Sequence, residues 1–264
     1  MYPTTYHKPA TIEDAVAALN ASEEGKLIAG GHTLLPTMKS HLAAPTDLVD
    51  IRGIPALQGI REENGTLIIG ATTTHAEVAS SAIVAKTCPA LACLAAGIGD
   101  PAVRNVGTIG GSLANNDPAA DYPAAVLALD ATIVTNQREL AADDFFDGLF
   151  STSLNDDEII TAIRFPASEA AGYAKFPNPA SRYAMVGVCV ARTGGTVRVA
   201  VTGAGEDGVF RHAALEAALL GNFSADAVDG VSVSSEGLLS DLHGDNLYRA
   251  NLVKVMAKRA VAAT

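Results

Sequence analysis

The chain has 264 residues, 48% of them apolar, and a formal net charge of −11. That length allows a well-buried core and two domains, and no apolar run approaches the ~18 residues of a membrane span. The acidic balance and the lack of Lys/Arg clusters exclude a nucleic-acid binder. Cys88, Cys93 and Cys189 are too few for a disulfide scaffold and fall short of the four ligands that an iron–sulfur cluster normally takes. They are expected to be buried free thiols in a reducing cytoplasm. Met1-Tyr2-Pro3-Thr4 has no basic or apolar leader character, so no secretory signal is predicted.

Along the chain, Thr11-Ile12-Glu13-Asp14 predicts a Thr-capped helix, with Ile12, Val16 and Leu19 on one face. Lys26–Ala29 reads as a strand, a helix is expected from about Leu34 with Pro36 in its first turn, and Asp47–Ile51 reads as another strand. These elements make a small β-α-β-α-β unit. A second unit opens at Gly65–Gly70, and Thr74-His75-Ala76-Glu77 is a capping box. Ile83–Ile98 reads as helical, with Pro89 either breaking it or starting a new helix; Tyr122–Leu129 is a helix, and Ala131–Val134 and Glu158–Phe165 are strands. The stretch Ala167–Gly172 breaks the composition and is taken as a domain boundary. Beyond it Ala174–Phe176, Tyr183–Val190 and Thr196–Thr202 predict strands, with Gly194-Gly195 as a hairpin turn, and His212–Leu220 and Asn246–Ala263 predict helices. The C-terminal part is therefore an antiparallel sheet with helices.

Two glycine words stand out: Ala29-Gly30-Gly31-His32-Thr33-Leu34-Leu35-Pro36, and Thr108-Ile109-Gly110-Gly111-Ser112-Leu113-Ala114-Asn115 followed by Asp117 and Asp121. Successive N–H groups in a glycine turn form a concave nest that holds an anion without Lys or Arg. Two nests predict a ligand with linked phosphates, with Thr33, Thr108 and Ser112 as hydroxyl donors. Neither word fits a Rossmann turn or a P-loop. His32 is read as a ligand contact rather than a base. Asp121 suits a sugar or ribityl hydroxyl, or else caps the following helix. Asp117 is read as a turn former, and His7, His41, His75, His212 and His243 as caps or surface. No metal or nucleophile motif is present.

These words resemble the FAD-binding medium subunit of molybdenum hydroxylases, the family of carbon monoxide, xanthine and nicotinate dehydrogenase flavoprotein subunits. Asp117-Pro-Ala-Ala-Asp121, Asp144-Phe-Phe-Asp-Gly, Asp157-Glu-Ile-Ile and Pro179-Ala-Ser-Arg-Tyr-Ala carry the resemblance further, nearly end to end. It implies a two-part α/β FAD-binding domain of the vanillyl-alcohol-oxidase-like type at residues 1–168, with subdomains about 1–57 and 58–168. An α+β domain at 169–264 would follow. It also implies FAD contacts at Ala29–Leu35, Ile98, Gly99, Thr108, Gly110, Gly111, Ser112, Asp121 and Ile160, and a Lys175 near the flavin. Many relatives have an acidic residue shortly after the position of Arg182, where this chain has Tyr183-Ala-Met-Val. The implied function is a cytoplasmic electron-transfer subunit. It would take electrons from [2Fe–2S] clusters of a small subunit, fed by a molybdopterin large subunit, in a dimer of heterotrimers. A non-enzymatic assembly module and a free-standing flavin oxidase are the alternatives.

Overall fold

The computed structural model describes residues 1–264. Its first layer is β1 (Thr5–His7), α1 (Ile12–Ala21), β2 (Gly25–Ile28), α2 (Leu34–Lys39) and β3 (Asp47–Asp50). The three strands form a parallel sheet in the order β1-β3-β2. Thr11 caps α1 by accepting from Asp14 N–H, and Ala15 on the inner face of α1 packs with Val49, Ile51 and Ile54. This is the β-α-β-α-β unit expected from the sequence.

The second layer is an antiparallel five-stranded sheet, β4-β5-β8-β6-β7. Its strands are β4 (Ile60–Glu63), β5 (Thr66–Gly70), β6 (Thr132–Thr135), β7 (Glu139–Ala141) and β8 (Ile160–Phe165). Six helices lie between β5 and β6: α3 (His75–Ser80), α4 (Ala82–Thr87), α5 (Pro89–Ala96), α6 (Pro101–Arg104), α7 (Ile109–Asn115) and α8 (Tyr122–Ala128). Both halves of the Thr74/Glu77 capping box are made. Pro89 starts a new helix, at the position where its missing N–H costs nothing. The second glycine word is not a loop: Ile109–Asn115 is α7, capped by Thr108.

The third layer is the antiparallel sheet β12-β11-β10-β9, made of β9 (Ala170–Pro177), β10 (Ala184–Thr193), β11 (Thr196–Gly205) and β12 (Gly208–Arg211), with α9 (Ala213–Gly221), α10 (Ala225–Asp229) and α11 (Asn246–Ala262). Along β10, Val186, Val188 and Val190 face α11, whereas Cys189 and Ala191 join the core around α8. Alternation with both faces covered explains why the strand reads as an unbroken apolar run. Gly194 and Gly195 both have positive φ (57° and 79°), as a two-residue hairpin turn requires. Helix α8 is buried along its whole length between the second and third layers.

Ala170-Ala171-Gly172, the end of the stretch taken as a domain boundary, lies inside β9. A methyl on Gly172 would stand 1.9 Å from the Ala260 carbonyl oxygen, so the small residues are there for the contact with α11. Cys88 and Cys189 are buried, but Cys93 is exposed on α5, contrary to the expectation for all three thiols.

Candidate functional site

A cleft of about 1330 Å³ runs between the first and second layers and ends against the turn between β9 and β10. It exceeds the roughly 300–1,000 Å³ of ordinary small-molecule sites. One wall is the loop after β2. No acceptor within the protein takes the backbone N–H groups of Gly30, Gly31, His32 and Thr33, which form a row of free donors facing the cleft. Gly31 has φ +68°, a conformation that an L side chain rarely adopts. A methyl on Gly30 would stand 2.6 Å from the Val106 carbonyl oxygen and 2.8 Å from Gly107 Cα, so the two glycine regions touch here. Ala29, His32, Thr33 and Leu34 also line the cleft. Leu35 does not: it packs with Ile28, Met38 and Leu48 behind the loop.

The opposite wall is the start of α7, where the expectation of a second N–H nest is corrected. Ile109 N–H donates to Thr73 O (3.1 Å), Gly110 to Ala71 O (2.9 Å) and Ser112 to Thr108 O (3.0 Å). Gly111 N–H donates to Thr108 Oγ1 (3.1 Å). All four donors are taken because the turn is tucked under β5 and starts a helix. What this wall offers the cleft is the Thr108 and Ser112 hydroxyls and a smooth glycine surface. A methyl on Gly110 would strike Ala71 O at 2.7 Å, whereas one on Gly111 would meet only Thr108 Oγ1, at 2.9 Å, and otherwise stand in the open cleft.

Asp121 is buried and makes no helix cap. Its carboxylate accepts from the Tyr173 hydroxyl (2.5 Å) and from Lys175 Nζ. Gly187 opposite is required, because a methyl there would lie 2.5 Å from the Tyr173 hydroxyl oxygen. Lys175 is the residue whose expected position differs. Its side chain is 10% exposed, its ammonium pairs with Asp121 at 2.9 Å and donates to Arg182 O, and it does not line the cleft. Its charge is spent behind Asp121, not presented freely to a ligand. Asp117 forms the expected turn, accepting from Ala119 N–H. Ile98, Gly99 and Ile160 line the cleft as anticipated. Arg182, at φ 63°, donates to Gly99 O across the end of the cleft.

Three lining groups escape the sequence reading. Glu158 accepts from Arg138 Nε and Nη2, the Thr135 hydroxyl and Asn155 N–H. The Arg138 grip holds its carboxyl down at about 2. Its signal was the Asp157-Glu-Ile-Ile word, which pointed to Ile160 alone. Tyr183 closes the far end. His75 is neither a cap nor on the surface: it is buried and lines the cleft, and burial first, with the neighbouring His32 and Arg104 adding to it, pushes its imidazole down to about 4. No local pattern distinguished it from a helix-start residue.

The domain family described as "FAD binding domain in molybdopterin dehydrogenase" matches residues 2–168, and so covers the first two layers and both glycine words. The chain belongs to this family. Its carbon monoxide dehydrogenase medium-chain relative from Hydrogenophaga pseudoflava is 38% identical over 98% of this chain and 96% of that one. The nicotine 6-hydroxylase medium subunit of Paenarthrobacter nicotinovorans is 35% identical over 97% and 95%. Among solved structures, a Cu,Mo-CO dehydrogenase in its cyanide-inactivated form superposes with a TM-score of 0.90 at 34% identity, over 100% of this chain and 98% of that one. Quinoline 2-oxidoreductase from Pseudomonas putida 86 superposes at 0.88 with 28% identity, over 99% and 97%. The mixed parallel and antiparallel architecture is thus the family's FAD-binding fold. The family's cofactor also fits the residues present: four free N–H donors suit a diphosphate, and the long glycine-floored cleft suits a dinucleotide.

Proposed function

We propose that this chain is the FAD-binding electron-transfer subunit of a molybdenum hydroxylase complex, and that FAD lies along the cleft between the two glycine words. The observation that carries this reading is the row of unpaired N–H groups from Gly30 to Thr33 facing the α7 glycines. FAD when bound supplies the redox chemistry: it takes electrons from iron–sulfur clusters and passes them to a terminal acceptor. The chain's own residues bind and orient it. Gly30–Thr33 donate to the diphosphate, Gly110 and Gly111 keep the opposite wall low, and the Thr108 and Ser112 hydroxyls add donors. Ile98, Gly99 and Ile160 give apolar walls, and Asp121 is held by Tyr173 and Lys175 as an acceptor for hydroxyl groups. Lys175 acts through Asp121 in this reading.

No group of three or more His, Cys, Asp or Glu side chains converges in the chain, and no helix is long and apolar enough to cross a membrane. We assign the [2Fe–2S] clusters to a small partner subunit and the molybdenum cofactor to a large one, in a cytoplasmic dimer of heterotrimers, with a cofactor domain at residues 1–168 and an α+β domain at 169–264. Mass spectrometry of the ligand released by mild denaturation tests the cofactor: FAD is expected, and recovery of FMN alone refutes it. Anaerobic mixing of the FAD-loaded chain with N-heterocycles, aldehydes or carbon monoxide tests the relay role. The flavin absorbance is expected to stay constant until partner subunits are added; bleaching by substrate alone refutes the role. Native mass of the complex tests the stoichiometry.

A further inference from the structure

His75 sits where the two walls of the cleft meet. Its backbone N–H donates to Gly107 O (2.9 Å), and Thr74 and Thr108 are bridged as in an antiparallel pair, so the start of α3 is tied to the second glycine word. The ring lies directly under Gly107: a methyl there would be 2.6 Å from Nε2. Gly107 in turn touches Gly30, whose loop carries the free N–H donors. The residue is 5% exposed and lines the cleft; its Nδ1 is buried without a hydrogen-bond partner, and its Nε2, which is not among the buried atoms, hydrogen-bonds to no protein group either. Buried polar groups left without partners are rare and call for an explanation.

The charged and titratable groups around the ring are His32 on the first loop, Arg104 on α6 and Tyr122 on α8, whose ring packs at 5.4 Å and whose hydroxyl is also unpartnered. His32 and Arg104 both push the imidazole toward neutrality, and no carboxylate contributes. An imidazole without a protein partner, beside Arg104 in a cleft lined with free N–H donors, is poised for an anion.

We propose that His75 is a cofactor-binding residue: its imidazole donates from Nε2 to the diphosphate, so that cofactor binding is coupled to proton uptake by this ring. The proposal rests on the FAD reading above. A diphosphate at Nε2 gives that nitrogen a partner and favours the protonated form, while Nδ1 stays buried without one. The bound pKa then rises above the free value of about 4. The sign follows: when the bound form holds the proton more tightly, affinity increases as pH falls through the bound pKa toward the free one. Neutral His75 still donates as the Nε2–H tautomer, so binding persists at higher pH, only more weakly.

The test uses the full-length chain stripped of flavin, with FAD and ADP as probes. ADP carries the diphosphate without the flavin. Affinities are read by fluorescence and calorimetry across the weakly acidic to neutral range, and the melting of the ligand-free protein is read in parallel. His75→Leu is expected to weaken both ligands by at least about tenfold, the loss of one charge-assisted hydrogen bond. It should flatten the pH dependence while leaving the melting temperature of the ligand-free protein unchanged or raised, because a partnerless buried polar group is removed. His75→Gln, which keeps a donor, should recover much of the affinity but none of the pH slope. Wild-type affinity and pH slope in His75→Leu overturn the proposal. So does a His75→Leu variant that melts early combined with a His75→Gln variant that keeps the wild-type slope, because the ring is then only core. Failure of the wild-type chain to bind FAD sinks the cofactor reading itself, a result distinct from wild-type binding with indifferent variants.

Discussion

At the scale of single residues, neighbouring glycines have different jobs. Gly111 faces the cleft, so Gly111→Val is expected to fold normally and to bind FAD at least about tenfold more weakly, because its added carbons stand where the ligand's backbone-side surface lies. Gly110 faces Ala71 O, so Gly110→Ala should instead destabilise the fold by about 1–3 kcal/mol through overpacking. Urea unfolding of both ligand-free variants, beside FAD titration, separates the two effects. Asp121 is similar in kind. Read from sequence, it was a ligand contact or a helix cap, yet it is half of a buried ion pair with a Tyr173 hydroxyl added. Asp121→Ala leaves Lys175 buried and unpaired, with an expected loss of about 3–5 kcal/mol. The double variant Asp121→Ala/Lys175→Met should regain stability in denaturant melts; a double variant as unstable as the single one would show that the pair is not what holds this wall.

At the scale of elements, the sequence was legible wherever one local rule decided the outcome. The Thr11 cap, the Thr74/Glu77 box, the Pro89 helix start and the Gly194-Gly195 turn are each chosen by groups within a few residues of one another. Two glycine-bearing stretches share one ambiguity: glycine marks either a turn or a close approach, and only the neighbour tells which. The Gly110-Gly111 word was expected as a loop and is the first turn of α7. Gly172 was expected in a boundary and lies in β9 against α11. Gly172→Ala is therefore expected to cost about 1–3 kcal/mol or more, since the obstructing atom is the backbone oxygen of Ala260 and α11 must shift to admit a methyl. Hydrogen exchange should show the loss concentrated in α11. Uniform loss across all three layers would argue against this contact as the cause.

At the scale of the whole molecule, the third layer supports the cleft, which it lines only at the turn between β9 and β10. Thr202 donates to Ala120 O (2.7 Å), Ala184 N–H reaches Ala119 O and Gly203 N–H reaches Pro118 O. Arg249 of α11 ties the Met185 and Gly203 carbonyls together from behind. The Asp117–Asp121 wall is thus held from the C-terminal sheet. Three buried groups, His75, Glu158 and Asp50, give the ligand-free molecule an acid response, with Asp50 lowered to about 2 alongside Glu158. His75 has its pKa depressed to about 4, so the unfolded chain takes up a proton that the fold refuses. Stability should fall by about 1.4 kcal/mol per pH unit from about pH 6.5 down to that value. Glu158 is depressed to about 2. Its contribution is full above its ordinary value near 4.5 and is lost between there and about 2. Denaturant melts across this range should show two successive declines. His75→Leu should shrink the upper one to the smaller part left by His212, whose imidazole burial also lowers, and leave the lower; an undiminished upper decline would assign it to another group.

The sequence by itself determined the three-layer order of elements, the β-α-β-α-β start, the antiparallel C-terminal sheet and the family, because capping, alternation and the two glycine words are local and strongly patterned. It also brought together most of the cleft: Ala29–Leu34, Ile98, Gly99, Thr108, Gly110–Ser112, Asp121 and Ile160 all face it. Only the tertiary structure decided which donors are free. The first glycine loop keeps its N–H groups, whereas those of α7 are consumed by Ala71, Thr73 and Thr108. It also turned Leu35 into the core, set Lys175 behind Asp121, and left His75 buried without a partner. Whether a polar group is spent or available depends on what packs beside it from distant parts of the chain, and no local spacing carries that information.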